Sequence, residues 1–190
     1  MNDLLALHEA IDRRVASIRD AHPDWRCAKG CDACCRQLAA LPQLTGAEWA
    51  LLRDGIAALP AHRQAEIRER IEALGHAPQR PVTCPLLDPA TGACPVYVQR
   101  PVACRTYGFY VQRDKGIYCQ TLEEQAASGR FDDIIWGNHE AIERELAALG
   151  ETRPLDAWFN LEKAVNHEVH EEHQEKQQLI ALARLTNWVR

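Results

Sequence analysis

Leu4, Leu7, Ile11, Val15 and Ile18 recur at steps of three and four, a spacing that predicts an amphipathic helix from about Asp3 to about Ala21. His22-Pro23 ends it, because the residue before a proline is pushed out of helical geometry. Thr45-x-x-Glu48 has the spacing of a capping box and opens a second helix with Trp49, Leu52 and Ile56 on one face, closed by Pro60. A third helix carries Ile67, Ile71 and Leu74 and stops at Gly75. From His76 to Cys119 the helical period is absent. Prolines and the segments Asp88-Pro-Ala-Thr-Gly92 and Asp114-Lys-Gly116 predict small hairpins and irregular loops there.

Helical signal returns weakly over Thr121 to Ser128 and clearly through Ile135, Ile142, Leu146 and Leu149 to Gly150. Pro154-Leu155-Asp156 starts another helix with Trp158, Leu161, Val165 and Val169 on one stripe. The stretch 170–178 (HEEHQEKQQ) is very polar, after which Leu179, Leu182, Leu185 and Val189 resume an apolar stripe. That last helix is expected to dock or to bind a protein partner. The expected fold is a single domain over 1–190, mainly α, with helices flanking a cysteine-rich irregular core with small β-hairpins. The cysteine-rich region covers about 25–119 and a helical appendage about 120–190.

Composition narrows the class. At 46% apolar residues the chain has enough to bury a core, which argues against disorder. Its longest uncharged runs, Gln37 to Ala47 and Pro89 to Gln99, are too short and too proline-interrupted to span a bilayer. Asp3, His8, Glu9 and Asp12 interrupt the apolar stretch that an export signal would need, so a cytoplasmic location is expected. The net charge of −5 disfavours nucleic acid as a partner.

The 8 cysteines carry the chemistry. In a reducing compartment, clustered thiols more often bind metal or do redox work than form structural disulfides. They fall into a dense set, Cys27-x3-Cys31-x2-Cys34-Cys35, and a spread set, Cys84, Cys94, Cys104 and Cys119. As a helix, positions 27, 31, 34 and 35 share a face, whereas Gly30 points to a turn between the first two. Adjacent thiols strain to chelate one ion, so one of Cys34 and Cys35 ligates while the other faces a second metal or a redox partner. Cys119, beside Ile117 and Tyr118, suits a core position as well as a ligand position. Cys84-Pro85 and Cys94-Pro95 block helix continuation after a thiol, as in ferredoxin-type cluster loops.

Charge supports a shared anionic site. Between residues 79 and 119, Arg80, Arg100, Arg105, Arg113 and Lys115 outnumber Asp88 and Asp114 by three, within a chain that is acidic overall. Four thiolates around a divalent cation, or around a cubane core of the same charge, leave a net charge of −2 that nearby guanidinium groups stabilise.

CAKGCDACC followed by CPLLDPATGACPVYVQRPVACRTYGF resembles the YkgJ-type cysteine-cluster family. The agreeing pieces are Cys27, Cys31, Cys34 and Cys35; Cys84-Pro85-Leu86-Leu87; Cys94 to Tyr97; and Arg100-Pro101 with Cys104-Arg105-Thr106-Tyr107, spanning roughly residues 25 to 119. The resemblance implies a zinc- or iron-chelating domain, often described as an iron–sulfur protein. It tilts Arg100 and Arg105 towards donors behind the sulfur ligands.

The expected function is a metal-binding module holding an iron–sulfur cluster, zinc or iron through Cys27, Cys31, Cys34, Cys35, Cys84, Cys94, Cys104 and Cys119. Spacing and the Cys-Pro pairs favour iron–sulfur, and redox-inert sites of four cysteines favour zinc. A redox-active oxidoreductase or accessory enzyme component, and a structural zinc module for protein interaction, are the alternatives. Outside the cysteines no acid/base pair, nucleophile elbow or phosphate loop is recognisable, which favours a binding module over an enzyme. His167, His170 and His173 read as a solvated helix face, since HEVH lacks the two-residue gap of a zinc-protease helix. Tyr97, Tyr107 and Phe109 are expected to pack around the site and exclude water.

Overall fold

The computed structural model describes residues 2–74, 80–113, 116 and 119–164. The chain divides into two compact units, Met1–Leu155 and Asp156–Arg190. Of the second, 156–164 are described, and they are helical. The polar stretch 170–178, the three histidines His167, His170 and His173, and the terminal apolar stripe lie outside the described residues.

In the first unit, α1 (Asn2–Ala21) forms where the apolar period predicts it and buries Leu4, Leu7, Ile11 and Ile18. Burying such side chains stabilises by roughly 1.5–3 kcal/mol each, which is what fixes this helix to the core. A short helix, α2 (Ala33–Arg36), follows, then the strand β1 (Gln43–Thr45). Thr45 caps α3 (Gly46–Ala57) through the expected capping box with Glu48. Pro60 precedes α4 (Ala61–Ala73), which buries Ile67 and Ile71. Its C-cap is Leu74, and Gly75 lies outside the described residues.

A single 3-10 turn at Tyr97–Gln99 and the five-residue helix α5 (Val102–Thr106) interrupt the stretch expected to be loops and hairpins. The strand β2 (Tyr110–Val111), helix α6 (Gln120–Ala127), strand β3 (Gly137–Asn138), helix α7 (His139–Ala148) and strand β4 (Thr152–Pro154) complete the unit. The class is mainly α with small β elements around the cysteine-rich region. The hairpins themselves reduce to single antiparallel bridges, Asp88 to Ala93 and Gln112 to Gly116.

Both two-stranded sheets join distant segments. β1 pairs antiparallel with β4, and β2 pairs parallel with β3. No local period marks strands of two or three residues, so neither pairing was legible beforehand. Ile135 departs from expectation as well: it precedes α7 and is 83% exposed, so the apolar stripe of that helix begins at Ile142.

One apolar cluster joins α1 to Trp25, Val102, Phe109, Tyr110, Leu122, Phe131 and Ile142. Residues of α6 and α7 therefore belong to the same core as the first helix. Trp25 stacks on Phe109 with centroids 5.3 Å apart and meets Phe131 at 4.6 Å. Phe109 is thus a core residue here. Leu44, Trp49, Leu52, Leu86, Leu87 and Leu155 are also buried, and Leu52, Leu86, Leu87 and Leu155 wall the cysteine-rich region.

Candidate metal centre

The backbone around the first four cysteines is a turn followed by one helical turn. Cys31 N–H donates to the Ala28 carbonyl at 3.0 Å, and Gly30 adopts φ 96°, a left-handed conformation that glycine enters without a Cβ clash. Cys27 and Cys31 are therefore set by a tight turn, while Cys34 and Cys35 lie on α2. An Arg36–Asp32 ion pair at 2.6 Å clasps that short helix on its exposed side.

The spread cysteines are brought in by separate devices. Leu38 and Val82 exchange backbone hydrogen bonds at 3.0 and 2.8 Å, and beyond them the Cys84 amide donates to the Cys35 carbonyl at 2.7 Å. The Asp88 to Ala93 bridge turns the chain so that Cys94 returns towards the same region. Cys104 sits on α5, with its amide donating to the Pro101 carbonyl. Cys119 is the N-cap residue of α6, and its carbonyl accepts from Leu122 and Glu123.

All eight cysteines are free thiols. Cys27, Cys31, Cys34, Cys35, Cys84, Cys94 and Cys104 line one cavity of about 60 Å³, together with Leu52, Leu86, Leu87, Leu155, Tyr97, Tyr107 and Arg100. Cys119 does not line it. Pockets for organic ligands usually measure about 300–1,000 Å³. A sulfur-lined space this small suits metal ions or a compact inorganic core.

The two arginines separate. Arg100 lies on the cavity wall, its guanidinium 3.4 Å from the centre of the Tyr97 ring and its Nε donating to the Tyr97 carbonyl at 2.9 Å. Among the described residues that line the cavity it is the one formal charge. Arg105 is buried and turned towards α1. It donates to Asp12 at 2.5 Å, to the Arg100 carbonyl at 2.8 Å and to the Val98 carbonyl. Its guanidinium ties α5 to α1, and Arg105 does not line the cavity.

The thiols affect one another. Burial pushes the Cys27 thiol up to about 12, with Cys31, Cys34 and Cys119 adding to the effect and Arg100 opposing it. Burial also raises Cys104, reinforced by Cys35, Cys34 and Cys94 and again opposed by Arg100. Cys94 is raised by burial against Arg100, and Cys119 by burial with help from Cys31 and Cys34. A hydrogen bond to Cys35, then burial, raises Cys34, so Cys34 is the donor. At Cys35 the bond received from Cys34 lowers the pKa, while the bond given to Cys84 and burial raise it to about 12.

Each of these six upward shifts favours the protonated form of the thiol. Among the described residues no three His, Cys, Asp or Glu side chains are gathered into coordination geometry. The donor set still fits a soft or borderline cation. Sulfur ligands deprotonate on binding, and a buried array that resists ionisation alone is relieved by a positive centre. Described histidines do not line the cavity.

Sequence reasoning missed Tyr97 as the platform for Arg100 and Glu48 as the anchor of α5. The i to i+3 spacing of Tyr97 and Arg100 beside a proline was the only signal for the first.

No curated protein and no solved structure matches the chain. A family model does match, over residues 26–128, which is more than half of the chain and includes all eight cysteines as well as α6. Its description is "Putative zinc- or iron-chelating domain". With the sulfur-lined cavity and the cysteine order in agreement, the chain belongs to the CxxCxxCC family of zinc- or iron-chelating domains.

Proposed function

We propose that the chain is a metal-binding module whose cysteine thiolates hold an iron–sulfur cluster, with Cys27, Cys31, Cys34, Cys35, Cys84, Cys94, Cys104 and Cys119 as the ligand set. The observation that carries this reading is the meeting of seven thiols from separate chain segments on one small cavity beside Arg100. The Cys27-x3-Cys31-x2-Cys34 spacing and the two Cys-Pro pairs support iron–sulfur over zinc. Arg100 offsets the negative charge that bound thiolates carry, and the leucine walls keep water away.

Zinc is the second reading, supported by a family description that includes it and by an all-sulfur donor set. Anaerobic purification of the full chain, followed by metal analysis, acid-labile sulfide assay and a visible spectrum, separates the two. A brown protein with iron and sulfide is expected. A colourless protein with stoichiometric zinc and no sulfide selects zinc, and a metal-free protein with its cysteines in disulfides overturns both.

A further inference from the structure

A groove of about 710 Å³ shares Tyr97 and Arg100 with the sulfur-lined cavity. It lies between α1 and the Tyr97–Gln99 turn, with Leu51 of α3 also on its wall. That volume falls within the range of about 300–1,000 Å³ usual for small organic ligands.

The groove combines exposed apolar surface with unspent positive charge. Leu5 and Val98 are 47% and 75% exposed, two of the four large apolar side chains exposed among the described residues, and both line it. Clustered exposed apolar side chains rimmed by charge mark a binding surface. Six charged side chains line the groove, and four of them pair off: Arg13 with Glu9 at 2.6 Å and Arg105 with Asp12 at 2.5 Å. Arg19 and Arg100 have no carboxylate partner among the described residues. The Arg100 Nε is committed to the Tyr97 carbonyl, which leaves its two Nη atoms without a hydrogen-bond acceptor among those residues.

His8 adds an independent observation. It is only 4% exposed and lines the same groove, yet its Nε2 has no hydrogen-bond partner among the described residues. An unpaired buried nitrogen favours a ligand that brings it a polar atom.

We propose that this groove binds a small organic anion, its carboxylate or phosphate head held by Arg100 and Arg19 beside His8 and its apolar body laid against Leu5 and Val98. No cysteine lines the groove, so the proposal goes beyond metal binding and does not depend on it.

The test is isothermal titration calorimetry of the full chain with octanoate and with octyl phosphate, compared with 1-octanol for the body alone and acetate for the head alone. Saturable binding of at least one of the two anions is expected, roughly 10-fold or more tighter than octanol or acetate, and the tighter of the two identifies the head group. Arg100→Gln and Arg19→Gln should each weaken it roughly 10-fold. Arg19 is exposed on α1, so its variant folds even if the other does not. Ile135→Asp, at an exposed apolar position outside the groove, should leave binding unchanged. No saturable binding of either anion, octanol binding as tightly, or arginine variants that bind like the unaltered chain overturns the proposal. Self-association abolished by Val98→Asp, with no anion taken up, assigns the groove to a second copy of the chain and overturns it as well. Metal content of the same preparation answers the metal reading separately.

Discussion

Glu48 Oε1 accepts the amide hydrogen of Val102 at 2.7 Å, so a carboxylate on α3 holds the first residue of α5. Its Oε2 accepts from the Thr45 amide at 2.8 Å and the Thr45 hydroxyl at 3.1 Å, completing the cap of its own helix. Glu48 is only 1% exposed, so these bonds replace water entirely. One side chain thereby positions two helix starts, and Cys104 lies two residues beyond the second.

Glu48→Gln is expected to destabilise the protein by about 1–3 kcal/mol, because an amide offers one acceptor oxygen and turns a donor towards buried N–H groups. Metal should also be retained less tightly through misplacement of Cys104. Urea denaturation with metal analysis checks both, and an unchanged midpoint would count against the double-cap role.

The two arginines should separate in experiment as they do in space. Arg100→Gln is expected to weaken metal affinity roughly 10-fold with little change in the stability of the metal-free chain, in the range typical for groups behind metal ligands. Arg105→Met should do the reverse. It leaves the Arg100 and Val98 carbonyls without their donor and should cost roughly 1–3 kcal/mol, while the folded protein keeps its metal stoichiometry. Competition with a chelator measures the first effect and denaturation of the metal-free chain the second.

His8 makes stability depend on pH. Burial foremost, and then Arg105, pull its pKa from 6.5 down to about 4, against the upward pull of Asp12. Between those values the unfolded chain binds more protons, so stability rises with pH. This contribution is fully present above about pH 6.5 and is lost as the pH falls towards 4. At about 1.4 kcal/mol per pH unit it reaches roughly 3 kcal/mol. His8→Leu should flatten the slope over that window in urea denaturation of the metal-free chain; an unaltered slope would assign the dependence elsewhere.

Gly108 and Gly30 offer a paired test of space against backbone. Both adopt left-handed φ, 78° and 96°. A Cβ at Gly108 would also lie 2.8 Å from Leu122 Cδ1, whereas at Gly30 it meets nothing within 4 Å. Gly30→Ala should cost about 1–2 kcal/mol from backbone strain alone. Gly108→Ala should cost about 1–3 kcal/mol more, because fully buried Leu122 must move. Thermal denaturation of the two variants gives the comparison, and equal losses would show that Leu122 yields freely.

The helices that sequence determined are those stabilised by repeated local signals. α1 follows its apolar period, α3 its capping box, and α4 its buried stripe between breakers, because side chains three and four apart share a face wherever a helix forms. The cysteines were legible by type, order and charge setting, since clustered soft donors narrow the chemistry before any fold is known. Tertiary structure decided what depends on distant segments: the pairing of β1 with β4, the burial of Arg105 against Asp12, and the approach of Cys27 and Cys119 to Gly108. Sequence carries distance along the chain but not direction through space.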